Sequence, residues 1–183
     1  MIVCRDLTVR FGEKIVLDGL NLSIPDAGVV CIMGESGRGK TTLLRVLAGL
    51  LKPNSGTVEG LSHRKVSVAF QEPRLLGWRT AQDNIASVSD VATASALCIE
   101  LHLEDVREQR AATLSGGQMQ RVSLARAFAF GTDVVLLDEP FAGLDEENKA
   151  RVLALIHRAT LAIVVTHDAR DPELLQAQQT IAL

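Results

Sequence analysis

The residues best suited to chemistry stand in a few short stretches. The first is Gly34-Glu35-Ser36-Gly37-Arg38-Gly39-Lys40-Thr41-Thr42, which follows the apolar run Val29 to Met33 and precedes apolar positions at Leu43, Leu44, Val46 and Leu47. The pattern reads as a buried strand, a glycine-rich turn and an amphipathic helix. The spacing of Gly34, Gly39, Lys40 and Thr41 fits a phosphate-binding P-loop, the Walker A pattern. Glycines let successive N–H groups curl inward, and the helix N-terminus adds partial positive charge. Lys40 would reach the outer phosphates and the Thr41 hydroxyl would sit on a magnesium ion. Glu35, Ser36 and Arg38 fill the variable positions, where backbone binds, and Thr42 continues the helix. A nucleoside triphosphate is the expected ligand.

The second stretch is Val134-Val135-Leu136-Leu137-Asp138-Glu139, four apolar residues ending in paired carboxylates. In an open parallel sheet, ligands sit beyond the C-terminal strand ends, which would bring this pair to the phosphates. Asp138 suits magnesium, and Glu139 suits orienting or deprotonating a water. The third stretch, Leu114-Ser115-Gly116-Gly117-Gln118, precedes apolar residues at Val122, Leu124 and Ala125. Free amides at a helix N-terminus would make a second anion site, and an N-cap with a flexible start fits equally well. Gln71 and His167, each closing an apolar strand, would by themselves be solvated polar residues.

The elements that must position these groups alternate. Residues 2–11 and 15–24 read as strands around a Gly12-Glu13-Lys14 turn, with short strands at Thr57-Val58-Glu59 and Val66 to Phe70. Thr80 to Arg110 is rich in alanine, leucine and charge, with Thr80 and Asp90 as N-caps, and reads as a compact helical insertion that extends over about 78–128. Glu104, Asp105, Arg107, Glu108 and Arg110 read as a solvated helix face, and Phe128, Phe130 and Phe141 as core. Further strands fall at Leu161 to Val165 and Thr180 to Leu183, with a helix from Glu146 to about Arg158 before them. Strands alternating with helices indicate an α/β fold with a mostly parallel sheet, here carrying an N-terminal antiparallel β subdomain.

The 183 residues suit a single domain spanning 1–183. A net charge of −3 and a pI near 5.8 give no support for a nucleic-acid partner. Apolar runs fall short of the roughly 18 residues needed to span a bilayer, and Arg5 and Asp6 interrupt the N-terminal pattern that a signal peptide would need. Three cysteines without a CxxC pair read as reduced, buried thiols. A cytoplasmic protein is expected.

Taken in order, the Walker A loop, LSGGQ before a VVLLDE strand, and the later isolated His167 resemble the nucleotide-binding subunit of ABC transporters, an ABC-type ATPase, over essentially the whole chain. The resemblance implies roles by position. Gln71 matches the Q-loop glutamine, which touches magnesium or the attacking water, and His167 the switch histidine on the γ-phosphate. Asp145 in Ala142-Gly143-Leu144-Asp145 matches the D-loop, and Phe11 the aromatic that stacks on adenine. Glu139 would be the catalytic base, and Thr41, Gln71 and Asp138 the magnesium ligands. Ser115, Gly116, Gly117 and Gln118 would contact ATP held by a second copy, in a head-to-tail dimer around two ATP. The string QEPRLLGWRT resembles the Q-loop of importer ATPases for nitrate, sulfonates and taurine, with Gly77 where proline is usual. Leu75, Leu76 and Trp78 would then face a membrane permease, or else belong to the insertion's own core. This implies transport of a small anion, a solute-binding protein as indirect partner, and residence on the cytoplasmic face of the cell membrane.

The chain departs from most importer subunits in ending at Leu183, where they continue into further helices. Two other readings stand beside transport. A soluble ABC ATPase in assembly or repair is one, although the short interval from Gln71 to Leu114 leaves no room for a long coiled coil. A non-hydrolysing, nucleotide-gated interaction module is the other, and intact Lys40, Asp138, Glu139 and His167 argue against it.

Overall fold

The computed structural model describes residues 1–183. Its centre is a five-stranded sheet of β5 (Val66–Ala69), β6 (Val134–Asp138), β7 (Leu161–Thr166), β3 (Gly28–Met33) and β8 (Gln179–Ala182), in that order, with every neighbouring pair parallel. The middle strands are apolar on both faces because both are covered. Val30, Ile32, Leu136, Ile163 and Val165 point to one side, whereas Cys31, Val135, Leu137, Ala162 and Val164 point to the other.

The first side is covered by α1 (Lys40–Leu47) and by an antiparallel sheet of β2 (Lys14–Ile24), β1 (Ile2–Phe11) and β4 (Ser55–Glu59). Leu43 and Leu44 of α1, with Leu47 one helical turn further on, share a face and are buried there. The second side carries α2 (Ala81–Ala86), α3 (Val91–Glu100), α4 (Gly116–Ala129) and α5 (Glu146–Ile156). A four-residue helix, α6 (Asp171–Leu174), precedes β8. The expected parallel core, antiparallel subdomain and helical insertion are all present, and α4 belongs to both the insertion and the sheet cover.

The caps read from sequence form. Thr80 accepts from the Asp83 amide at 3.0 Å, and Asp90 accepts from the Thr93 amide at 2.8 Å. Two expectations are corrected, and one left open between two readings is divided between them. The charged stretch Glu104 to Arg110 is a 3₁₀ turn over Glu104–Val106 followed by irregular chain, since Val106 alone offers no stripe to bury. Phe130 is 46 % exposed because α4 ends before it, while Phe141 is buried. Leu75 packs against the core, but Trp78 stands 74 % exposed.

All three cysteines are free and buried, and burial pushes each thiol up to about 11. No helix is long and apolar enough to cross a membrane.

Candidate active site

Parallel strands end on one edge, so topology alone gathers the chemistry-bearing residues. Met33 pairs with Thr166, Asp138 with Val165, and Ala69 with Leu137. The residues just beyond, Gly34, His167, Glu139 and Gln71, therefore meet at one rim. There a polar cavity of about 910 Å³ is lined by Gly34, Glu35, Ser36, Gly37, Gly39, Lys40, Thr41, Thr42, Gln71, Asp138, Glu139 and His167, with Lys14 and Val16 at its other side.

The loop itself is built from left-handed backbone. Gly37 has φ 84° and Gly39 φ 95°, values that a side chain would strain. A Cβ at Gly39 would also come within 2.8 Å of Leu17 Cδ2 and 2.9 Å of the Val16 carbonyl oxygen. Lys40 is nearly buried and donates from Nζ to the Gly34 and Glu35 carbonyls, at 2.6 and 2.9 Å. The lysine thus spans the loop's mouth, where an anion would replace carbonyls as its partner.

Thr41 Oγ1 donates to Asp138 Oδ2 at 2.6 Å, joining the start of α1 to the end of β6. Burial raises the Asp138 carboxyl above its ordinary range, opposed by the Thr41 hydrogen bond and the Lys40 charge. A cation beside it would relieve that desolvation. The available donors are a hydroxyl, a carboxylate and, from Gln71, an amide oxygen. No three His, Cys, Asp or Glu side chains cluster as a self-sufficient metal site. An all-oxygen, incomplete set fits Mg²⁺, which keeps waters and phosphate oxygens among its ligands.

Glu139 follows in a left-handed conformation, φ 51°, unusual for a residue with a side chain. Its backbone is held from both sides: the amide donates to the Val165 carbonyl at 2.9 Å, and the Glu139 carbonyl accepts from Ala142 N at 3.1 Å and Gln120 Nε2 at 3.4 Å. Its side chain is 14 % exposed and accepts from His167 Nδ1 at 2.7 Å. The hydrogen bond to Glu139 and its negative charge raise the His167 pKa, although the ring itself is 70 % exposed. Behind the ring, Thr166 Oγ1 donates to the buried Asp171 carboxylate and accepts from the Asp168 amide.

The other residues singled out from sequence lie elsewhere. Ser115 caps α4: its Oγ accepts from Gln118 N at 3.3 Å while Gln118 Oε1 accepts from Ser115 N at 2.8 Å, a reciprocal capping box. Ser115 and Gly116 are exposed and take no part in lining the cavity. Gly117 touches the Gly143-Leu144 loop, where a Cβ would lie 3.1 Å from the Gly143 carbonyl oxygen. Asp145 caps α5 by accepting from Asn148 N at 2.8 Å. Arg38 lies 4.0 Å from Glu35 and lines a neighbouring cavity of about 430 Å³. Phe11 is half exposed, outside the cavity lining. Lys14 and Val16 were not singled out from sequence; the only signal for them was the Gly12-Glu13-Lys14 turn.

Comparison with known proteins agrees with this geometry. The family model described as ABC transporter matches residues 17–142. An aliphatic sulfonates import ATP-binding protein, SsuB, of Corynebacterium glutamicum is 42% identical over 181 residues, covering 91% of this chain and 74% of that protein. SsuB 2 of Frankia alni is 42% identical over 194 residues, covering 100% and 76%. Among solved structures, the ATP-binding cassette MJ0796, dimeric in a post-hydrolysis state with ADP and Pi, superposes with a TM-score of 0.88 at 28% identity, covering 100% of this chain and 94% of that one. The chain therefore belongs to the ABC transporter family, as one of its ATP-binding, ATP-hydrolysing domains.

Proposed function

We propose that two copies of this chain close head to tail around two ATP molecules and power import of a small anion through a separate membrane permease. One observation carries the dimer: the exposed start of α4, with the Ser115 side chain and the uncapped first-turn amides of Gly116 and Gly117, stays out of its own chain's cavity. Such a helix start suits an anion, and because it faces away from its own cavity only a second molecule can bring a bound phosphate to it. That the similar MJ0796 cassette is dimeric supports a pairing of two copies.

Within each site the residues divide the work. The P-loop amides and Lys40 neutralise the phosphates, Lys14 and Val16 line the wall that would face the base and sugar, and half-exposed Phe11, outside that lining, would have to stack on adenine from the rim. Thr41, Asp138 and Gln71 would hold Mg²⁺, which when bound withdraws charge from the β- and γ-phosphate oxygens. Glu139 accepts a proton from water as its oxygen attacks the γ-phosphorus and the bond to the β–γ bridging oxygen breaks, leaving ADP and phosphate. His167 steadies Glu139 and faces the γ-phosphate. Ser115, Gly116, Gly117 and Gln118 from the partner close over that phosphate, and Asp145 lies beside the same seam.

Exposed Trp78, preceded in the chain by half-buried Leu75 and Leu76, offers the permease an apolar contact in the segment that follows Gln71. The sulfonate importer relatives favour a sulfonate, with taurine and nitrate as chemically similar anions. The subunit would then sit at the cytoplasmic face of the membrane, with a solute-binding protein as an indirect partner. The test is affinity capture of this chain from detergent-solubilised membranes, followed by uptake assays with the captured permease in liposomes. ATP-dependent uptake of an alkanesulfonate is expected; ATP hydrolysis with no permease captured would instead favour a soluble ABC ATPase.

A further inference from the structure

Arg126 sits on α4, three helical turns beyond Ser115, and no step of ATP hydrolysis described above uses it. Its guanidinium is partly buried, and burial lowers its pKa with no neighbouring charge offsetting the effect. Removing a cation from water without an anionic partner is costly unless its donors are satisfied. Here Nη2 donates to two consecutive backbone carbonyls, Pro73 and Arg74, each at 3.1 Å. Those carbonyls belong to the segment that starts with Gln71.

The segment needs holding. Arg74 is left-handed, φ 45°, without being glycine. The Phe70 ring, immediately before Gln71, lies under two guanidiniums, Arg45 of α1 at 5.8 Å and Arg74 at 5.3 Å. The far end is pinned by fully buried Asn84, whose Oδ1 accepts from Leu76 N at 2.8 Å and whose Nδ2 donates to the Leu76 and Thr80 carbonyls at 3.1 and 2.9 Å. Backbone anchors on both sides leave Gln71 as the exposed side chain that reaches the cavity.

We propose that Arg126 is a positioning residue for Gln71: by gripping the Pro73 and Arg74 carbonyls from the helix that begins at Ser115, it fixes where the Gln71 amide meets the γ-phosphate end of the cavity. The inference rests on the reading of Gln71 as a magnesium- or water-contacting residue. A residue that merely cements α4 to its neighbours would lower stability and leave the chemistry of a folded enzyme independent of Gln71.

Steady-state hydrolysis by wild type, Arg126→Ala, Gln71→Ala and the double variant separates the two. Arg126→Ala is expected to lower kcat about tenfold while leaving KM for ATP within about twofold, because the P-loop is untouched. In the Gln71→Ala background the same substitution should cost less than about twofold, since coupled residues do not add. Arg126→Lys, which keeps a charged donor, should recover part of kcat, and it carries the comparison if Arg126→Ala does not fold. Equal losses in both backgrounds, or unchanged kcat in Arg126→Ala, would overturn the role of Arg126 while leaving Gln71 in place. Unchanged turnover in Gln71→Ala would overturn the reading of Gln71 and the inference with it.

Discussion

Glu139 accepts a 2.7 Å hydrogen bond from His167 Nδ1, although the two lie 28 residues apart and follow different strands. One strand ends at Asp138 and the next at Thr166, and both overshoot by a single residue into the same cavity. Glu139 makes this contact from a left-handed backbone, φ 51°. This pair gives the first prediction. Glu139 raises the His167 pKa above its ordinary 6.5. A folded-state pKa above the unfolded one makes the pair's contribution fully present below the unfolded value, and lost as pH rises through the folded value. NMR titration of His167 should give a midpoint above 6.5 in the wild type that falls in Glu139→Gln.

The same substitution tests the base. Glu139→Gln keeps the size and the grip on the backbone but cannot accept the water's proton. Steady-state phosphate release should fall by about two to four orders of magnitude, while ATP binding survives and a dimer accumulates on gel filtration with ATP. Undiminished release would assign the proton to another group.

Removal of magnesium tests the Thr41–Asp138–Gln71 set. With excess EDTA, hydrolysis should stop while a fluorescent ATP analogue still binds through the P-loop amides and Lys40. In Lys40→Ala the order reverses, and binding itself should weaken at least about tenfold, since a charge-assisted contact to phosphate is lost.

The structure under the site is tested through Leu44, fully buried on the face of α1 that packs against the sheet. Leu44→Ala leaves a cavity there and should cost about 2–5 kcal/mol. Urea denaturation should show a lower midpoint with an unchanged slope.

Much of this was readable in the sequence because the chemistry sits where apolar runs stop. Met33 to Gly34, Leu137 to Asp138, and Thr166 to His167 each mark a buried strand reaching the solvent edge, and parallel topology does the rest. Residues that act through backbone carbonyls leave no such mark. Arg126 and Asn84 look like ordinary helix residues until the chain folds and carbonyls 73, 74, 76 and 80 need donors. Likewise Lys14 and Val16 reach the cavity only because β2 lies across Gly39. The charged stretch Glu104 to Arg110 misled because charge density resembles a solvated helix face even where no apolar stripe exists to dock it.

In the proposed dimer each P-loop holds half a site, and Ser115, Gly116 and Gly117 of a second copy supply the rest. Mixing a Lys40→Ala chain with a Ser115→Arg chain tests it directly. Each homodimer lacks both working sites, but a mixed dimer pairs one intact P-loop with one intact Ser115. Equal mixing should restore phosphate release to about a quarter of the wild-type rate, from half the dimers carrying one of two sites. A mixture no more active than either variant alone, with mixed dimers shown to form, would contradict the claim.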